Sequence, residues 1–407
     1  MSREPTSNQS ALAFRYANFN WFFAGGFLSR TGDWFDKIAI NWYIFMKTGS
    51  VFYVGLVEFF SVIPVLLFSI VGGVAADRWN RKFVLMATQT GAMLCTFMIA
   101  ALLFWDVSFP ALAALLFVRG AFVAIEIPTR NAMVPNMVPK EALQSAISFY
   151  SSVLNGARIT GPAIAGLLLG FWDAYALIIV NGFCYLLVLF TLTRIQVDSA
   201  PKSMGSQLGV KDGVKEAFRF LKRNELVLGV FILGVVPIIF GMPYSTLLPV
   251  FAHELLRVGP SGFGLLMSAN AVGAVLCTII LGFGKVPIGK GKLLFACIIG
   301  FGASLVCMAF SRSFLLSLFI MFVIGICSMG YRIVERTMIQ QTIPDELRGR
   351  ILSIVMMDTG LVPLGNAGIG YLSEQVGPVF SLCLMGMACI VTAGLVLGRH
   401  RAILHIR

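Results

Sequence analysis

The run from Val51 to Val71 contains a single charged side chain, Glu58, and beyond a short charged knot a second apolar run extends from Phe83 to Trp105. A helix of about 20 apolar residues, rising about 1.5 Å per residue, crosses roughly 30 Å of hydrocarbon. A chain that repeats such runs has few other folds open to it. Comparable runs recur along its length, centred near Thr31, Pro64, Leu94, Phe117, Asn155, Gly182, Val236, Ala271, Gly302, Phe322, Gly360 and Ala388. We therefore expect an all-α membrane protein with twelve transmembrane helices. Apolar residues make up 58% of the chain and charged ones only 12%, which is far from the make-up of a soluble domain.

The formal net charge of +12 would suggest nucleic acid in a soluble chain. Here the cations gather in the turns, where the positive-inside rule accounts for them, and no nucleic-acid partner is expected. With both termini cytoplasmic, the inner turns hold Arg78, Arg81, Lys82, Arg130, Lys140, Lys285, Lys290, Lys292, Arg336, Arg348 and Arg350. The outer turns then hold only Lys47, Arg257 and Arg312. The amino terminus has no short apolar core followed by a cleavage site, so no removable signal peptide is expected.

The polar segment from Gln196 to Asn224 divides the chain. It contains Pro201, Gly205 and Gly209 and ends in Val214–Arg223, which reads as an amphipathic helix lying on the inner face of the membrane. The expected organisation is a bundle over 1–195, a cytoplasmic linker over 196–224 and a second bundle over 225–407. The halves are related. Asn131-Ala-Met-Val-Pro-Asn-Met-Val-Pro139 aligns with Arg336-Thr-Met-Ile-Gln-Gln-Thr-Ile-Pro344, and Gly161 and Gly166 match Gly365 and Gly370 at almost the same offset. A repeat at half the chain length predicts two parallel six-helix bundles around a central cavity.

The charged knot reads Gly73-Val-Ala-Ala-Asp77-Arg78-Trp-Asn80-Arg81-Lys82. Gly-x-x-x-Asp-Arg-x-x-Arg-Lys resembles the signature loop between helices two and three of the major facilitator superfamily. Asn80 stands where that family usually has Gly, and Asn tolerates the positive φ expected of the turn. Gly32-Asp33-Trp34, Thr48-Gly49-Ser50, Pro128-Thr-Arg130-Asn-Ala132 and Ala157-Arg158-Ile-Thr-Gly161-Pro162 are similar to the macrolide-efflux and enterobactin-exporter branch, whose members are drug:proton antiporters. The resemblance implies the two-bundle fold and a conformational gate built from Gly73, Asp77, Arg78, Arg81, Lys82, Gly161 and Pro162. In that gate Asp77 faces the helix start near Arg348–Ile351, and the cations bridge to acids such as Glu141. Gly161-Pro162 is expected to weaken or kink its helix, and Ala165 replaces one glycine of the family's antiporter motif.

Ionic groups inside a membrane are costly unless they face a partner or a wet cavity. The first segment carries Arg30, Asp33, Asp36 and Lys37 near its middle. Arg30, Asp33 and Lys37 share one stripe, so Asp33 can pair with either cation, while Asp36 points elsewhere. Glu58 lies in segment two, Arg119 and Glu126 share a face of segment four, and Arg158 precedes the Gly-Pro pair of segment five. A carboxylate in a partly dry cavity loses its proton less readily, and an approaching Arg reverses that. Asp33, Asp36, Glu58, Arg119, Glu126 and Arg158 are thus the candidate proton and substrate coupling residues. Asp33, Glu58 and Glu126 are the expected carriers, and Arg119 and Arg158 the switching partners.

Other chemistries find little support. Gly284–Lys290 imitates a phosphate-binding loop, but Gly291 replaces the hydroxyl residue that would hold Mg²⁺. The cysteines lie within apolar spans without metal-ligand spacing, and His253, His400 and His405 form no catalytic set, so no enzyme, metal or cofactor is expected. Aromatic and apolar residues (Trp21, Phe22, Trp34, Trp42, Tyr43, Phe59, Phe60, Tyr244, Met267), with Asn41, Asn270 and Asn366 as polar points, suit a small amphiphilic solute. Pro237, Pro243 and Pro249 predict a bent segment seven. The reading is a monomeric multi-pass exporter of the bacterial cytoplasmic (inner) membrane. It moves a drug, macrolide or siderophore by proton antiport with rocker-switch alternating access, its partners being substrate, protons and membrane lipid. A lysophospholipid translocase, or a facilitative carrier of the same fold without proton coupling, is the alternative.

Overall fold

Chain segments that lie in hydrocarbon must satisfy their own backbone polar groups, and the helix does so locally. The computed structural model describes residues 12–196, 225–283, 288–342 and 360–405, and every regular element among them is helical. In chain order these are α1 (Ala17–Thr48), α2 (Val51–Arg78), α3 (Arg81–Phe104), α4 (Phe109–Met137), α5 (Leu143–Leu168) and α6 (Ala174–Arg194). The second half follows with α7 (Glu225–Val236), α8 (Tyr244–Val250), α9 (Gly259–Phe283), α10 (Lys290–Phe310), α11 (Phe314–Thr342), α12 (Val362–Val376) and α13 (Pro378–Arg399). The linker helix over Val214–Arg223, the Lys285 loop, the segment Arg348–Ile351 and Asp358 lie outside the described residues, as does the side chain of Asp77.

Nine of the described helical segments are long and apolar enough to cross a membrane. Two long helices, α1 and α5, are not among them for a chemical reason. α1 carries Arg30, Asp33, Asp36 and Lys37, and α5 carries Gln144, Asn155 and Arg158 among several serines. Polar helices of this length in a membrane protein mark functional ground.

The local rules are visible at the breaks. Asn80 sits at φ −59° and caps α3, its side-chain oxygen accepting from Lys82 N at 3.0 Å and Phe83 N at 3.3 Å. The positive φ expected there is not adopted, because an Asn at the N-cap satisfies two otherwise orphaned N–H groups from ordinary backbone geometry. Gly377 takes φ +84° between α12 and α13, a conformation that favours glycine. Segment seven, expected to be bent at its prolines, is interrupted twice. α7 gives way to a π-turn over Pro237–Gly241, and a second π-turn over Phe251–Leu255 follows α8. α5, by contrast, runs unbroken through Gly161-Pro162.

By contacts the chain forms two units, Met1–Ile40 with Phe60–Gly205, and Asn41–Phe59 with Ser206–Arg407. Within the first, α3 packs against α4 and α6; within the second, α10 packs against α11 and α13. The internal repeat is therefore present in the packing as well as in the sequence. Gly120 and Gly325, equivalent in that repeat, play the same part. A Cβ at Gly120 would strike the Ser61 carbonyl of α2, and one at Gly325 the Asn270 carbonyl of α9. The first unit closes at one end over a cluster that includes Phe19, Phe22, Leu85, Met133, Ala146 and Leu192.

Candidate functional site

The middle of α1 carries Arg30, Asp33, Asp36 and Lys37, and α4 supplies groups complementary to the first three. Arg30 donates to Asp33 Oδ2 at 2.9 Å and to Glu126 Oε1 at 3.1 Å. Arg130 donates from Nε to the same Glu126 oxygen at 2.9 Å. Asp36, which the helical stripe aims away from Asp33, pairs with Arg119. Tyr185 of α6 donates its hydroxyl to Asp33 Oδ1 at 3.4 Å. Three carboxylates and three guanidiniums thus form one set in the first unit, with formal charges that cancel.

The carboxylates differ in their access to solvent. The Asp33 side chain is 35% exposed, those of Asp36 and Glu126 only 3% and 4%. Asp33, Asp36, Arg119 and Tyr185 line a cavity of about 150 Å³ together with Ser61 and Gly120. At roughly 30 Å³ per water that is space for a few molecules beside Asp33. Gly32 and Gly161 keep the neighbouring helices close. A Cβ at Gly32 would collide with the Asn181 amide of α6, and one at Gly161 would lie 2.7 Å from Trp34 Cβ.

Of the residues singled out from sequence, Asp33, Asp36, Arg119 and Glu126 are brought together. Glu58 is placed elsewhere: it belongs to the second unit, buried, and accepts from Asn41 Nδ2 at 2.7 Å. Arg158 is half-buried on α5. Arg130 corrects the sequence reading, which put it in an inner turn as a topology marker. It is 2% exposed inside α4, because Glu126 one turn earlier and the Phe22 ring, 6.0 Å from its guanidinium carbon, give it a partner and a cover. The i, i+4 spacing of Glu126 and Arg130 is the signal that would have found it. Nothing in the sequence singled out Tyr185 or Asn181.

The signature loop is fastened inside the first unit. Arg81 donates to the Ala132 carbonyl at 2.8 Å and to Asn136 Oδ1 at 3.0 Å. Lys82 reaches the last carbonyls of α6, Ile195 O at 2.7 Å and Thr193 O at 3.3 Å, where orphaned acceptors and the helix dipole favour a cation. Arg78 is exposed. The close approach of α2 to α4 falls on Gly72, whose Cβ would lie 2.6 Å from the Ala124 carbonyl oxygen, while a Cβ at Gly73 would meet open space.

Many apolar helices, an internal repeat of the bundle and a charge-balanced ionic set within one copy define a multi-pass membrane transporter of the major facilitator type. The family model described as transmembrane secretion effector matches residues 9–404, and the chain belongs to that family. It is 28% identical over 374 residues to the staphyloferrin A transporter of Staphylococcus aureus, covering 91% of this chain and 93% of that one. It is 24% identical over 370 residues to macrolide efflux protein A of Streptococcus pyogenes, covering 88% and 89%. A crystal structure of the nucleoside transporter NupG superposes with a TM-score of 0.79 at 14% identity, covering 94% of this chain and 99% of that one, a likeness of fold alone. The chain is thus a membrane transporter with efflux relatives, and not an enzyme.

Proposed function

We propose that this chain exports a small amphiphilic molecule, of the drug, macrolide or siderophore type, across the bacterial cytoplasmic membrane by proton antiport with rocker-switch alternating access. The observation that carries the reading is the set of three carboxylates and three guanidiniums in the first unit, of which Asp33, Asp36 and Arg119 line the cavity. As a balanced set it is tolerable in the membrane; adding one proton leaves a positive charge in a low-dielectric site. Proton binding at Asp33 weakens its hold on Arg30, which then rests on Glu126 alone, already shared with Arg130. A set poised in this way changes its ion pairing when one proton enters or leaves. Relatives named for staphyloferrin A transport and macrolide efflux support the substrate class and the outward direction. Both termini lie on the cytoplasmic side in this reading, and the gate residues Asp77, Arg78, Arg81 and Lys82 act at that side.

The test uses the purified full chain in liposomes with an imposed pH gradient and three probes: a macrolide, a ferric-citrate-type siderophore and a lysophospholipid. Antiport predicts accumulation of the macrolide or the siderophore against its gradient only when the pH gradient is present, with protons moving the other way. Transport of any of these probes at the same rate whether the pH gradient is present or collapsed would overturn the coupling. Movement of lysophospholipid alone would overturn the substrate class.

A further inference from the structure

A π-turn closes its hydrogen bond one residue later than an α-helix does, so the helix widens locally. Segment seven has such a turn over Pro237–Gly241, and α12 meets it at Gly365. A Cβ there would lie 2.4 Å from the Ile239 carbonyl oxygen and 2.7 Å from Pro243 Cγ. Three residues on, and on the same face of α12, a Cβ at Gly368 would meet nothing within 4 Å. The two glycines thus mark a contact and a gap. The gap is a cavity of about 490 Å³ in the second unit. Its walls include Ile239 and Phe240 of the π-turn, Gly368 and Tyr371 of α12, and Leu384 and Met385 of α13.

The walls offer water little. Among the described residues that line the cavity, the Tyr371 hydroxyl is the only polar side-chain group, whereas a buried water needs about two to four polar partners. The cavity is instead continuous with the lipid interface. Phe380, Leu384, Met387, Val391 and Leu395 recur at three- and four-residue spacing along α13, and all are exposed. α13 is one of the segments long and apolar enough to cross a membrane, and an exposed apolar stripe on a spanning helix is surface that meets acyl chains. Leu384 belongs both to that stripe and to the cavity wall. Tyr371 sets the direction. It lies in the last two turns of α12, which ends at Val376, and a tyrosine, apolar in body and polar at its tip, favours the membrane–water boundary. Leu364, also in the wall, lies about 10 Å deeper along the helix at roughly 1.5 Å per residue.

We propose that this cavity binds one acyl chain of a bilayer phospholipid, with the glycerol end at Tyr371 and the chain running past Gly368 toward Leu364. Its volume falls within the roughly 300–1,000 Å³ of ligand-sized pockets. Left empty, it would deprive Ile239, Phe240 and Met385 of dispersion contacts on one side. A chain seated there completes the packing of segment seven against α12 where the π-turn leaves it incomplete. Neither proton coupling nor the identity of the exported solute bears on this site.

The experiment uses the full-length chain purified in detergent, with phosphatidylethanolamine as the probe. Native mass spectrometry counts the phospholipids that stay bound as collisional activation strips the rest. A phosphatidylethanolamine carrying a diazirine in mid-chain maps where a chain lies. One phospholipid is expected to outlast the others on the parent protein, with crosslinks concentrated in peptides that carry residues 239–240 and 364–388. Gly368→Phe, which places a ring in open space, is expected to lose both signals while remaining folded. Gly394→Phe, at an exposed glycine of α13 that also faces open space but lies outside the cavity wall, should keep them. Equal retention by the parent and Gly368→Phe, or crosslinks spread evenly over the lipid-facing helices, would show ordinary boundary lipid and overturn the site. Crosslinking of a diazirine-bearing macrolide to these peptides, without crosslinking of the lipid, would give the cavity to the exported solute and overturn it as well. Should Gly368→Phe fail to fold, the crosslink map of the parent decides alone.

Discussion

Arg130 lies one turn beyond Glu126 on α4 and closes on it, Nε to Oε1 at 2.9 Å, with both side chains all but sealed from solvent. The same carboxylate oxygen also takes Arg30 from α1. Glu126 thus joins α1 to α4 through one oxygen, beside the separate Asp36–Arg119 pair between the same two helices.

This arrangement predicts strong non-additivity. Removing one member of a buried ion pair leaves an uncompensated charge, which costs about 3 kcal/mol or more. Arg130→Met is expected to lower the unfolding free energy of the detergent-purified protein by that amount, and Glu126→Gln by a similar one. The double variant should recover most of the loss, since neutral partners of similar size leave no buried charge. Simple addition of the two losses would show that the groups are not coupled.

A second prediction separates two ways of building the signature turn. If Asn80 serves as the N-cap of α3, Asn80→Ala costs about 1 kcal/mol of stability, whereas Asn80→Gly costs only a few tenths. If the turn instead required a positive φ, Asn80→Gly would stabilise it. Thermal unfolding of the three proteins side by side decides the matter, and the φ of −59° favours the cap.

The adjacent glycines Gly72 and Gly73 give a third. A methyl group at Gly72 meets the Ala124 carbonyl at 2.6 Å and Ile125 Cα at 2.8 Å, both backbone atoms that cannot rotate away. Gly72→Ala is therefore expected to destabilise the first unit by about 1–3 kcal/mol, the usual range for overpacking. Gly73→Ala meets nothing and should be neutral, or stabilise by up to about 1 kcal/mol through helix propensity. Unfolding midpoints measured in the same detergent would show the contrast.

How much of this was legible beforehand depends on the length scale of the signal. The helices were readable because each must bury about 20 apolar residues in lipid, and a run of that length leaves little ambiguity. A helix covers each expected centre except Gly360, which falls just ahead of α12. The pairing of Arg30 with Asp33 was readable because it is local. The junction of Asp36 with Arg119 joins residues 83 positions apart, and no spacing rule reaches across that distance. Arg130 was misplaced because one cation near the end of a long apolar run looks the same whether it marks a turn or fills a core. That Glu58 lies apart from Asp33 and Glu126 was not legible, because Asn41–Phe59 packs with the second unit, a fact of tertiary structure alone.

The last prediction concerns which carboxylate carries the proton. Asp33 alone combines access to the cavity with an arginine that has somewhere else to go, since Arg30 also reaches Glu126. Asp36 is sealed against Arg119, so its neutralisation strands a buried cation. Asp33→Asn should therefore abolish accumulation of substrate against a gradient while leaving downhill exchange, folding and membrane insertion intact, and Asp33→Glu should restore part of the uphill activity. Asp36→Asn should instead lower the yield of folded protein, and recover when combined with Arg119→Gln. Counterflow and pH-driven uptake, measured on the same liposomes, separate the two behaviours. Normal uphill transport by Asp33→Asn would move the proton to another site, and loss of folded protein in that variant would assign Asp33 to packing.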